Sequence, residues 1–195
     1  MTDTASMTVN RTLLRKPNAD YGPREYLTEA EIERLIEAAR KRGRNGARDS
    51  AAILLAFRHE LRAQELCSLR WSQIDLRHGR LHVNRAKGGI ESVIAWARAT
   101  RAAAMQGASP YVFATEAGTP VTTSWFLRMI QRTGVAAKLP FQVHPHMLRH
   151  STGYKLANDG HDTRSLAHYL GHRNLQSTAR YTALAPDRFK DFWKD

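Results

Sequence analysis

The stretch from residue 144 to residue 181, HPHMLRHSTGYKLANDGHDTRSLAHYLGHRNLQSTARY, gathers histidines, an arginine and a terminal tyrosine between what read as short helical pieces. With Asp162 as a helix cap, the stretch divides into three helices, with turns at Asn158-Asp159-Gly160 and at Gly171. His146, Arg149, His172 and Tyr181 then fall near helix ends or on one face. His146 and Arg149 are three residues apart and share one side of a helix. Pro145, just before them, suits the first helical turn. That placement aims backbone N–H groups, an imidazole and a guanidinium at a common anion. The chemistry expected of this set is to hold a phosphodiester and attack it.

So many histidines also invite a metal reading, but the spacing opposes it. There is no paired cysteine and no HExxH, and His146 with His150 lacks an acidic third ligand at a recognised spacing. No metal and no cofactor is therefore expected. Serine hydrolysis is opposed by the lack of G-x-S-x-G. Taken singly, each histidine reads as a cap or a core hydrogen-bonder.

The elements that must position these residues begin upstream. Residues 1–26 are polar and basic without periodicity and read as an arm that could lie on DNA. Residues 27–195 read as a single domain. Thr28 to Glu31 is a capping box, and Leu27 with Ile32 is a hydrophobic staple. Ile32, Leu35, Ile36 and Ala39 give the first helix one apolar face. Arg40-Lys41-Arg42 ends it in the sense the helix dipole favours, and Gly43 to Gly46 breaks it. A largely buried second helix is expected over 47–59 and a short third over 63–69. Arg62 stands at the corner between them, with Glu65 three residues on, placed to hold it.

Three short strands are expected at about 73–76, 80–84 and 91–95, with Lys87 at or beside a hairpin turn. A weak Ala-rich helix and a short strand Tyr111-Val112-Phe113 follow. One of Thr122, Thr123 and Ser124 then caps a helix running to about Val135, with Phe126, Met129 and Ile130 inward. Arg128 and Arg132 share another face of that helix, where they could meet a phosphate backbone, and Gly134, Lys138 and Pro140 end it. Beyond Asp162, Leu166, Ala167 and Leu170 face inward, Gly171 leaves His172 at a corner, and Asn174 caps a last helix with Tyr181 at or just past its end. The expected architecture is mainly α with a small antiparallel β-sheet, in the α+β class.

Composition bounds the partner. A chain of 195 residues with 42% hydrophobic and 25% charged residues is ordinary globular material. Thirty Lys and Arg against eighteen acids, a net charge of +12, are not ordinary and point to a polyanion, nucleic acid before an acidic membrane surface. One cysteine, Cys67, lies between apolar residues and reads as a buried thiol in a reducing cytoplasm. No apolar run approaches the roughly 18 residues of a membrane span, and no signal-peptide core is present, so no membrane association is expected.

Five segments together resemble the tyrosine recombinase (phage integrase) family: LRAQELCSLRWSQID at 61–75, the lysine of RAKGG, HPHMLRH at 144–150, LGHRN at 170–174, and Tyr181 nine residues after His172. The likeness runs from about Leu27 to Phe189 and is nearest to the short fimbrial phase-switch recombinases. It implies the tyrosine recombinase catalytic-domain fold and the following roles. Tyr181 is the nucleophile and His146 takes its proton; Arg62 and Arg149 clamp the non-bridging oxygens. Lys87 protonates the leaving 5′-oxygen, His172 hydrogen-bonds the phosphate, and Glu65 orients Arg62. It further implies double-stranded DNA with short inverted recombination sites, DNA inversion in phase variation, and a homo-oligomer, a tetramer, on that DNA. DNA-bending accessory proteins and a nucleoid-associated cytoplasmic location go with it. A C-terminal helix over 184–195, carrying Phe189, Phe192 and Trp193, would pack on a neighbouring protomer.

Two departures stand out. Ahead of the first arginine the family usually carries glycine, where His59-Glu60-Leu61-Arg62 has Glu60; a backbone needing φ > 0 there would be strained. The short stretch before the first helix also leaves no room for the family's N-terminal DNA clamp. The competing reading is a non-catalytic DNA-binding regulator that keeps the fold, and a third is a type IB-like topoisomerase.

Overall fold

The computed structural model describes residues 25–75, 80–83, 92–95, 109–171 and 174–183. In chain order its elements are α1 (Glu29–Arg40), α2 (Gly46–Arg58), α3 (Ala63–Cys67), a single 3-10 turn (Trp71–Gln73), β1 (Ile74–Asp75), β2 (Arg80–Val83), β3 (Ser92–Ala95), α4 (Thr123–Ala136), α5 (Pro145–Asn158), α6 (Thr163–Leu170) and α7 (Gln176–Ala183). The domain is mostly helical.

Local chemistry sets most helix ends. At α1 the Thr28 hydroxyl accepts from Glu31 N–H while the Glu31 carboxylate accepts from Thr28 N–H at 2.8 Å, which satisfies two otherwise orphaned donors. Asp162 caps α6 by accepting from the N–H groups of Arg164 and Ser165 at 2.9 and 3.0 Å. Gly171 closes α6 in the left-handed conformation at φ +62°. Asn174 accepts from Gln176 N–H at 2.9 Å where α7 begins.

The main core collects Ile32 and Leu35 of α1, Ile53 and Leu55 of α2, Leu66, Leu81, Phe126 and Ile130 of α4, and Met147 and Leu148 of α5. Chain entry is tied to it by Leu27 N–H, which donates to the buried Ser151 hydroxyl of α5 at 2.7 Å. A smaller cluster lies between α5, α6 and α7: Tyr154, Ala157, Leu166, Leu170 and Tyr181. The strands are antiparallel in the order β1-β2-β3, with Ile74 opposite Leu81 and Leu81 opposite Ile94. Leu81 and Val83 point into the core and His82 away from it, so β2 anchors the sheet by one face.

Several expectations are corrected. Tyr111-Val112-Phe113 is not a strand. Its backbone bonds are split between two partners, Val112 N–H to Leu69 C=O at 2.9 Å and Val121 N–H back to Phe113 C=O at 3.1 Å, so only isolated bridges form. Gly134 does not end α4 but lies inside it, where a Cβ would stand 2.8 Å from Val143 Cγ2; the glycine lets the 143 loop close on the helix. The stop is Lys138, at φ +54°, with Leu139 N–H donating to Gly134 C=O. The third helix is shorter than expected and ends at Cys67, where Ser68 turns its hydroxyl back onto Gln64 C=O at 2.8 Å. Tyr181 lies within α7 rather than at its end. The positions of Lys87 and His172, residues 1–24 of the arm, the Ala-rich segment and residues 184–195 lie outside the described residues; Tyr26, at the arm's end, packs its ring against Tyr154 with centroids 4.2 Å apart.

Candidate active site

Arg62 stands in the corner between α2 and α3. That corner is a Schellman turn: Glu60 N–H donates to Phe57 C=O and Leu61 N–H to Ala56 C=O, which requires a left-handed residue at position 60. Glu60 takes it at φ +51°. A residue with a Cβ is strained there by roughly 1–2 kcal/mol. The turn sends the chain straight into Arg62, whose own N–H donates to Glu65 Oε2 at 2.8 Å while its Nη1 reaches Glu65 Oε1 at 2.9 Å. Glu65 is buried and Arg62 half-buried, so the carboxylate fixes the base of the guanidinium from inside the protein.

Arg149 comes from α5, far along the chain, and is fastened to the same corner. Its Nη1 donates to Glu60 C=O at 2.6 Å and its Nη2 pairs with Glu60 Oε1 at 2.9 Å. Both partners are buried, with side chains 7% and 1% exposed. Removing one member of such a pair strands a charge in the interior, at a cost of about 3–5 kcal/mol. The pair therefore locks the two arginine-bearing segments together. The strain expected at Glu60 is present, and Arg62 is held in place despite it.

Tyr181 is 2% exposed. Its ring lies flat on α5 at Gly153, packs edge-on against Tyr154 at 5.1 Å between centroids, and its Oη meets His150 Nδ1 at 2.9 Å. Burial, helped by the Glu60 charge and opposed by Arg149 and Arg180, pushes the phenol up to about 12. Burial and the nearby Arg180, His146 and Arg149 push His150 down to about 4. At neutral pH the phenol is thus protonated and the imidazole uncharged, and with the ring proton on Nε2 the phenol donates to Nδ1.

His146, one turn before His150, is exposed and stacks on it with centroids 5.8 Å apart. Arg128 and Arg132 are exposed on α4. His150 is the residue the sequence reading did not single out. Its signal was there: it follows Arg149 directly and stands at i, i+4 from His146. Among the described residues no group of histidines, cysteines and acids is placed to hold a metal ion, and no helix is long and apolar enough to cross a membrane.

The fold and this cluster define a class of helical domain that brings a tyrosine and two arginines together from distant parts of the chain. The family model described as the phage integrase family matches residues 25–188, so the chain belongs to that family, the tyrosine recombinases. It is 39% identical over 189 residues to the type 1 fimbriae regulatory protein FimB of Escherichia coli K12, covering 91% of this chain and 94% of FimB. It is 38% identical over 184 residues to FimE of the same strain, covering 88% of this chain and 91% of FimE. Among solved structures it is similar to the XerA recombinase, with a TM-score of 0.73 and 29% identity over 92% of this chain and 68% of that one.

Proposed function

We propose that the chain is a site-specific DNA recombinase that breaks and rejoins strands through a 3′-phosphotyrosyl intermediate, and that its outcome is inversion of a DNA segment. The observation that carries this is one corner of the fold where Glu65 holds Arg62 and Glu60 holds Arg149, with Tyr181, bonded to His150, near enough to feel the charges of Glu60 and Arg149. In the reaction, Tyr181 Oη bonds to phosphorus, the P–O5′ bond breaks, and the phenolic proton passes to His146. Lys87 gives the leaving 5′-oxygen its proton. The two guanidiniums, with His172, hold the non-bridging oxygens where charge grows. A 5′-hydroxyl from a second duplex then attacks the phosphotyrosine and releases the tyrosine, so the phosphoester count is unchanged and no ATP is needed.

Tyr181 is recessed on Gly153 and bonded to His150, so attack requires α7 to carry the phenol outward. A net charge of +12 supports double-stranded DNA as the partner. In this reading residues 27–195 are one catalytic domain, Lys87 comes from the sequence between β2 and β3, and the arm, Arg128 and Arg132 contact DNA backbone. The 184–195 segment packs on a neighbouring protomer of a tetramer that accessory proteins assemble on bent DNA, in the cytoplasm at the nucleoid. Inverted repeats from the host locus, placed around a reporter on a plasmid, test the reading. Inversion that disappears in Tyr181→Phe is expected. Relaxation of supercoils without exchange would instead assign a topoisomerase, and regulation that survives Tyr181→Phe a non-catalytic regulator.

A further inference from the structure

What Glu60 does to Arg149 rests on the phosphate-clamping role proposed above for that arginine. Glu60 combines two unfavourable features: a left-handed backbone on a residue with a Cβ, and a buried carboxylate. Glycine would remove both and keep the carbonyl that accepts from Arg149 Nη1. The carboxylate is thus what this residue adds to the corner, and it is spent on Arg149 Nη2 at 2.9 Å. Arginine presents the same N–H fork to carboxylates and to phosphates, so the two anions compete for it. The Glu60 charge also bears on the Tyr181 phenol, which places it beside the nucleophile as well as the clamp.

We propose that the Glu60 carboxylate is a resident occupant of the anion seat on Arg149, an internal stand-in that the DNA phosphodiester must displace before Arg149 can clamp it. The arrangement keeps the clamp neutralised while no DNA is bound. It makes the site discriminate against weakly held phosphates, because only a duplex seated by many contacts supplies the free energy to exchange the pair.

Full-length wild type, Glu60→Gln, Glu60→Gly and the double variant Glu60→Gly/Arg149→Ala are titrated with inorganic phosphate at fixed ionic strength, followed by calorimetry. The expected result is that Glu60→Gln and Glu60→Gly each bind phosphate at least tenfold more tightly than wild type, with the gain lost in the double variant. Equal or weaker binding in both single variants overturns the proposal, as does a gain that survives loss of Arg149. Both variants leave Arg149 without its buried carboxylate, but glycine relieves the left-handed backbone and keeps the carbonyl acceptor while glutamine preserves the volume, and a urea midpoint on each confirms a folded protein for the titration. On DNA, the half-saturating concentration for adduct formation is expected to fall about tenfold in Glu60→Gln. An unchanged half-saturation with a lower maximal rate contradicts the proposal, being the signature of a mere support for Arg149. If no variant and no wild type forms an adduct, the recombinase reading fails, while the phosphate titration still decides whether Glu60 occupies the seat.

Discussion

Substituting Gly153 by alanine probes how Tyr181 is held. A Cβ at position 153 would lie 2.5–2.6 Å from three atoms of the Tyr181 ring, whereas carbon atoms in contact stand about 3.5–4.0 Å apart. Inside α5 the backbone cannot retreat without breaking helical hydrogen bonds, so the ring must move by about 1 Å or more. That breaks the 2.9 Å bond to His150, worth about 1 kcal/mol, and exposes part of a side chain whose full burial is worth about 1.5–3 kcal/mol. Alanine returns about 1 kcal/mol through its helix propensity. Gly153→Ala should therefore lower stability to urea by about 1–2 kcal/mol. In a Tyr181→Ala background only the propensity remains, and the same substitution should become neutral or stabilising. Ultraviolet titration should also show the Tyr181 phenol falling from about 12 toward its ordinary value near 10. An equal loss of stability in both backgrounds would refute the reasoning, because the Cβ would then be clashing with something other than the tyrosine.

Ser151→Ala removes the acceptor for the buried Leu27 N–H, and chemical denaturation should show a loss of about 1–3 kcal/mol; a change under 0.5 kcal/mol would mean that the entrance of the chain is not anchored there. Acid should also weaken the fold through His150. Below pH about 6.5 the unfolded chain binds a proton on this residue that the folded chain refuses until about pH 4, so stability falls across that window by up to about 3 kcal/mol, at about 1.4 kcal/mol per pH unit. Urea midpoints measured between pH 7 and pH 4 should fall less steeply in His150→Gln, and an identical slope in both proteins counts against the assignment.

The sequence made the helix boundaries legible wherever a local device set them. The Thr28–Glu31 box, Asp162 and Gly171 each act within a few residues, so their types and spacing suffice. The corner at Glu60 was harder. A left-handed position after a helix is normally signalled by glycine, and here, as at Lys138, a residue with a side chain occupies it. The backbone at Glu60 does adopt φ > 0. Its compensation is invisible in the sequence, because Arg149 lies 89 residues away and the pairing is purely tertiary. Gly134 was misread for a related reason: a glycine can mark an end or a close approach, and only the neighbouring Val143 decides which. Tyr181 was legible as the candidate nucleophile by its place in the motif. Its recessed state was not, because the inward face of α7 is built from Thr178, Tyr181 and Thr182, residues whose types do not announce burial.

Tyr181 is proposed to become covalently joined to a DNA 3′-phosphate. The direct measurement is to incubate the protein with a nicked duplex carrying one inverted repeat from its host locus, denature with detergent, and identify the modified peptide by mass spectrometry. The expected result is a detergent-resistant adduct mapped to Tyr181, with a free 5′-hydroxyl on the released strand and no adduct from Tyr181→Phe. An adduct on another residue, one undiminished in Tyr181→Phe, or none on a site the protein demonstrably binds would contradict it.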